Sequence, residues 1–186
     1  MNEIEIIKGC LKNNRESQKA LYDHYYNKML GVCLRYSKDI DEGKAILHQG
    51  FFKVFANLKN FKANESLESW IKKMMINASI DYLNKNKQNL IVSTFNANKK
   101  AVNTLDDIGD DELILHVEKE EILKAVQELT PAYRKVFNLF VIEGYSHKQI
   151  SEMLDISEET SESNLSKAKF NLRKNIQQII KNADGK

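Results

Sequence analysis

Apolar residues recur along this chain at spacings of three and four, the mark of helices that each bury one face. In SQKALYDHYYNKMLGVCLRY, Leu21, Tyr25, Met29 and Cys33 repeat every fourth residue, and Ser17 stands where a cap is expected. In GKAILHQGFFKVFANLKNF, Leu47, Phe51, Val54, Phe55 and Leu58 share one narrow face, which the pattern assigns to a core. A second stripe of that helix, Asp41, Ala45, His48 and Phe52, lies roughly 100° or more away. Phe52 is therefore a large aromatic off the core face. Either a neighbouring helix of the same domain covers it, or it belongs to a partner surface. The third helix, LESWIKKMMINASIDYLNKNK, has Leu67, Trp70, Ile71, Met74 and Ala78 on its apolar side and Lys73, Asn77, Ile80 and Asn84 on a flank. A flank with a cation and amides suits nucleic acid, since Asn pairs donor and acceptor with a base edge.

The period fades from about Gln88 to Asp111, where Asn, Asp, Ser and Thr mix without a sustained stripe. Loops of that length inside one domain are uncommon. Helical spacing resumes in EKEEILKAVQELTPAYRKVFNLFVIEGYSHKQISEML, which reads as three helices. Thr130-Pro131 is a cap followed by a first-turn proline, Gly144 ends that helix in a left-handed position, and Ser146 caps the next. Asp155-Ile156-Ser157 is a short turn, and Ser157 caps a long final helix. Ile150, Leu154 and Ile156, with small Ser151, then Leu165, Ala168 and Leu172, take the spacing of a helix-turn-helix. The expected fold is all-α: a helical domain over 1–87, a flexible acidic linker over 88–111, and a helix-turn-helix domain over 112–182.

Composition narrows this further. The chain has 186 residues, 42% of them hydrophobic, enough for one or two small cores. One proline and seven glycines are too few for the turns of an all-β or α/β chain. No run reaches the ~18 apolar residues of a membrane span, and the N-terminus lacks a secretory pattern. Cys10 and Cys33 alone make neither a disulfide scaffold nor a zinc site, and fit a reducing cytosol. His24, His48, His116 and His147 are scattered, and no phosphate loop, nucleophile set or metal cluster is visible, so no enzyme, cofactor or metal is expected.

The net charge of +2 hides an alternation. Residues 71–100 carry +5 and 163–186 carry +5, while 101–121 carry −7 and 146–162 carry −4. Basic islands attract polyanions. Only four of the 28 basic residues are Arg, so few planar forks are on hand for bidentate base contacts.

In order, ALYDHYYNKM, AILHQGFFKVFANL and FKANESLESWIKKMMINASIDYL, then LTPAYRKVFNLFVIEGYSHKQISEML and ISEETSESNLSKAKFNLRK, resemble the sigma factors of bacterial RNA polymerase, specifically the short extracytoplasmic-function group. The resemblance covers nearly the whole chain outside the linker. It implies a non-catalytic initiation factor that directs core polymerase to promoters and helps melt the −10 region. Ala45, His48, Gln49 and Phe52 would bind the clamp helices of the largest subunit. Lys62, Asn64, Glu65, Ser66, Lys73, Asn77 and Asn84 would read the −10 element, with one base extruded into a pocket. Thr160, Glu162, Ser163, Ser166 and Lys167 would meet the −35 element in the major groove. The flap of the second-largest subunit and an anti-sigma factor are the further partners implied, with a cytoplasmic, nucleoid-associated location or retention at the membrane by that anti-sigma partner. The linker would thread the RNA exit path, its acids standing in for RNA.

The sequence departs from that family at several points. Acids are usual where Lys44, Ala45 and Gln49 stand, and a Gln where His48 stands. Gly is usual at Asp155, an apolar residue at Ser161 and a basic one at Glu162. The alternatives are a helix-turn-helix regulator that binds duplex DNA without polymerase, and a sigma-like protein that sequesters core without initiating.

Overall fold

The computed structural model describes residues 3–62, 64–90 and 119–184, and among them there is no strand. The first half comprises α1 (Glu3–Leu11), α2 (Arg15–Tyr36), α3 (Ile40–Asn57, extended by a 3-10 turn over Leu58–Asn60) and α4 (Leu67–Leu90). The second comprises α5 (Lys119–Gln127), α6 (Pro131–Phe137, continued as a π-helical turn over Asn138–Ile142), α7 (His147–Leu154) and α8 (Glu158–Asp184). No described helix is long and apolar enough to cross a membrane. The expected linker lies outside the described residues except at 88–90, where α4 continues, and 112–118 lie outside them too.

Several helices start where a polar side chain takes an orphan backbone donor. Asn14, not Ser17, caps α2: its Oδ1 accepts from the Ser17 N–H at 2.9 Å. Ser17 instead lies buried one turn in, where its side chain fills the space beside Gly9. Asp39 caps α3 by accepting from Glu42 N–H at 2.8 Å. The stripe Leu47, Phe51 and Val54 is fully buried, as the spacing predicts, with Phe55 half-buried at its edge. It packs on Ile71, Met75 and Ala78 of α4 and on Leu21, Met29 and Cys33 of α2 in one apolar core. Burial pushes the Cys33 thiol up to about 12, so it packs as a small hydrophobe.

In the second half, Pro131 occupies the first turn of α6 behind Thr130, although the Thr130 side chain makes no cap bond. Gly144 has φ 76°, the left-handed stop expected of it. Ser146 and Gln149 form a reciprocal capping box at the start of α7. Asp155, at φ 53°, takes the left-handed position between α7 and α8, which a short polar side chain tolerates. The Ser157 hydroxyl then accepts from Thr160 N–H at 3.1 Å. Ile150, Leu165, Ala168 and Leu172 are buried together, the core of a helix-turn-helix.

The two halves touch through the last turn of α2. Gln127 donates to Leu34 O at 3.0 Å, Asn138 to Arg35 O at 2.8 Å, and Arg134 Nη1 to Tyr36 O at 3.0 Å.

Two glycines distinguish tight from loose packing in the first half. A Cβ on Gly50 would meet the Met75 sulfur at 2.2 Å, whereas one on Gly31 would meet nothing within 4 Å. Gly50→Ala is expected to lower stability by about 1–3 kcal/mol through overpacking. Gly31→Ala is expected to raise it by about 0.5–1 kcal/mol, the helix propensity of alanine. Urea unfolding midpoints at constant slope check both signs.

Candidate polymerase and nucleic-acid interfaces

The outward stripe of α3 is bare. Phe52 is 77% exposed, so no described helix covers it. His48 and Gln49 are exposed beside it and Ala45 is half-buried. His48 is held in place from below: its Nε2 lies 3.2 Å from the Tyr22 hydroxyl, and Tyr22 packs on Phe51 with ring centroids 4.6 Å apart. The apolar core thus orients a side chain of the outer stripe.

On α4, Lys73, Asn77 and Asn84 are exposed, and Lys62, Asn64 and Ser66 are exposed in the segment before it. Glu65 is half-buried and its Oε2 lies 3.7 Å from Lys73 Nζ, which ties that segment to the helix. Phe61 and Trp70 meet edge to face with centroids 5.7 Å apart, closing the same segment from beneath. The sequence pattern put Ile80 on this polar flank, but it is 5% exposed. Ile76 is also buried, at 2%, so α4 buries more of its circumference than one amphipathic stripe requires. Asn77 opens into a cleft of about 360 Å³ shared with Lys53, Met74, Ile80, Asp81 and, from α7, Met153. Asn84 Oδ1 accepts from Lys135 Nζ at 2.7 Å. Two of the three polar residues on the flank therefore already face the second half.

Thr160, Glu162, Ser163, Ser166 and Lys167 are all exposed on α8. At 3.6 residues per turn they span roughly 160° of arc, opposite the buried Ser161, Leu165 and Ala168. Ser161 is polar where an apolar residue was expected, and the structure supplies its partner. Its Oγ lies 2.9 Å from His147 Nδ1, and the His147 ring stacks on Phe140 at 4.4 Å. Glu158 and Glu159 sit at the helix start, where acids meet the positive end of the helix dipole. The Ser157 hydroxyl holds the Glu159 carboxyl below its ordinary value.

Arg134, Asn138 and Glu143 were not legible as functional positions. Arg134 is 4% exposed, and besides Tyr36 O its guanidinium donates to Leu129 O at 2.8 Å and to Gln127 O. Glu143, whose side chain is 3% exposed, pairs with Arg35 and Lys72 of the first half. Arg134 and Glu143 are plain in the sequence as a cation and an anion, but nothing local names their partners.

Comparison with known proteins matches these halves separately. A model of sigma-70 region 2 matches residues 21–89, and one of sigma-70, region 4 matches residues 119–171. The ECF RNA polymerase sigma factor SigW of Bacillus subtilis is 22% identical over 93% of this chain and 96% of its own. SigX of the same organism, also an ECF RNA polymerase sigma factor, is 24% identical over 77% of this chain and 75% of its own. The sigma factor RpoE of Bartonella quintana, solved in complex with the anti-sigma factor NepR, superposes with a TM-score of 0.53 at 15% identity. That superposition covers 86% of this chain and 96% of the other.

The exposure difference along α3 makes a stability test. Phe52→Ser is expected to shift the thermal midpoint by less than the equivalent of about 0.5 kcal/mol. Leu47→Ser, at a fully buried position, is expected to cost about 3 kcal/mol or more. Thermal melts followed by circular dichroism give both values.

Proposed function

The chain belongs to the sigma-70 family, in its extracytoplasmic-function group, and is an RNA polymerase sigma factor; we propose how its surfaces divide that work. The α3 stripe of Ala45, His48, Gln49 and Phe52 docks the clamp helices of the largest polymerase subunit. Phe52 carries this reading: a large aromatic left 77% exposed on a helix whose other face is fully buried. Aromatic anchors of that kind commonly dominate protein interfaces. The Lys62–Ser66 segment, with Lys73, Asn77 and Asn84, captures the −10 strand, and the cleft beside Asn77 offers space for a flipped base. Thr160, Glu162, Ser163, Ser166 and Lys167 enter the major groove at the −35 element, while the flap of the second-largest subunit holds the second half. Glu162 is suited to accept from cytosine N4. The chain itself performs no chemistry; it positions and opens DNA for the polymerase, in the cytoplasm. An anti-sigma protein, of the kind bound by the Bartonella factor, is a further partner.

Run-off transcription with purified core polymerase and a promoter library tests the whole. Transcripts that require this chain support it. Core binding without transcripts would indicate sequestration, and DNA binding without core binding a stand-alone regulator. Phe52→Ala is expected to weaken core binding by about 2 kcal/mol, roughly 30-fold. Asn77→Ala is expected to change preference among −10 variants while leaving core affinity within about twofold, a margin below 0.5 kcal/mol. Equal transcription from every −10 variant, before and after the substitution, would remove Asn77 from the reading site.

A further inference from the structure

The side of α4 assigned above to the −10 strand is already in contact with the chain itself. Glu143, at the end of the π turn, accepts through Oε1 from Arg35 Nη2 at 2.8 Å and through Oε2 from Lys72 Nζ at 2.5 Å. One buried carboxylate of the second half thus satisfies two cations from different helices of the first. Lys135 of α6 bonds Asn84, and Met153 of α7 stands at the cleft beside Asn77. Around α4, Lys72, Ile76, Ile80, Asn84 and Asn77 follow one another over roughly 140°. Every contact just named between α4 and the second half falls within that arc. Ile76 and Ile80, buried off the core stripe, lie in its middle.

We propose that Glu143 is an autoinhibitory latch: it holds the two halves closed over the −10-reading side of α4, and occupies the cations that a DNA phosphate would otherwise engage. A carboxylate and a phosphate are recognised by the same ammonium and guanidinium groups. A strand approaching α4 in the closed state meets Lys72 and Asn84 already bonded. It competes with Glu143 for the first and with Lys135 for the second. The latch is poised rather than permanent, because a buried ion pair gains little net free energy over its desolvation cost. The three second-half donors at the end of α2 can also be replaced by water once that end is exposed. A polyanion brings several phosphates against one carboxylate, so nucleic acid, or a polymerase surface that pulls the halves apart, shifts the balance toward the open form.

The proposal rests on the −10 reading of α4 and is tested on the full chain by two independent readouts. Small-angle scattering gives the radius of gyration, and fluorescence anisotropy gives the affinity for a labelled 12-nucleotide single strand carrying the preferred −10 sequence. Glu143→Gln is expected to enlarge the radius of gyration and to tighten strand binding by about fivefold or more, the scale of a typical coupling between sites. Arg35→Glu is expected to open the chain in the same way. The double variant Arg35→Glu with Glu143→Arg, which restores opposite charges, is expected to return the compact form, and this separates a latch from simple misfolding. Expansion without tighter binding overturns the proposal, as do tighter binding without expansion and a double variant as open as either single one. Run-off transcription is scored separately: a chain that opens and binds strands but never initiates with core refutes the initiation reading and leaves the latch standing.

Discussion

The end of α2 is the constraint around which the two halves are arranged. An α-helix finishes with four carbonyls that its own backbone cannot satisfy. Here Cys33 O is met by Ser37 N–H, but the next three are taken in part or wholly from outside the first half. Leu34 O receives Gln127, Arg35 O receives Asn138, and Tyr36 O receives Arg134. Such capping requires donors that reach out of water, and Arg134 shows what that entails. Burial pulls its pKa down, yet a guanidinium does not lose its proton in a protein. Its charge is therefore accommodated by carbonyl dipoles, from Gln127 and Leu129 of its own half and Tyr36 of the other. One side chain fixes the turn between α5 and α6 and the height at which both sit on α2.

The π turn follows from that arrangement. The Glu143 N–H bonds to Asn138 O at 2.9 Å, one residue wider than an α turn, and the Tyr145 N–H closes the helix end on Leu139 O at 2.9 Å. An added residue turns everything after it by roughly 100°. Asn138 can then point at Arg35 O while Glu143, five residues later, points at the Arg35 guanidinium and Lys72. Gly144 takes the left-handed stop directly afterwards, leaving no further helical turn to carry the carboxylate past its partners. Tyr36 is completely buried, and desolvation together with the Glu143 charge pushes its phenol well above the ordinary tyrosine range. A local widening of one helix is therefore coupled to a charge pair across the molecule.

What could be read in advance was what depends on neighbours in sequence. The periodic stripe of α3, the capping box at Ser146, the left-handed Gly144 and Asp155, and the helix-turn-helix core are each written within one or two turns. The outward faces of α3 and α8 were legible for the same reason, since a side chain opposite a stripe of buried residues is exposed unless another element arrives. Short α1 escaped notice because nine residues with exposed Ile4 and Leu11 give no clean stripe. Ser17 was mistaken for a cap because it is a good capping residue, whereas Asn14 is a better placed one. Ile80 was misplaced for a deeper reason. Its burial depends on packing around α4 that its own helical stripe does not encode, and the nearest ties to the other half join residues 51 apart, at Lys135 and Asn84, and 108 apart, at Arg35 and Glu143.

The scarcity of arginine bears on how this factor distinguishes promoters. The chain has four Arg against 28 basic residues in all. Two of the four, Arg35 and Arg134, are engaged in joining the halves, one against a buried carboxylate and one against backbone carbonyls. Half of the planar forks, the group that gives the commonest specific contact to guanine, are thus used for holding the molecule together. On the sides of α4 and α8 proposed above to face DNA, the assigned residues are amides, hydroxyls, lysines and the Glu162 carboxylate. Amides and the Glu162 carboxylate can discriminate bases by donor and acceptor pattern, while lysines act on phosphates as point charges. On that proposal, discrimination and affinity fall to different residues. On the proposed reading, binding strength follows lysine–phosphate contacts and drops steeply with salt, and sequence preference follows a few short polar side chains, of which Asn84 is bonded to Lys135 and Asn77 borders the cleft beside Met153.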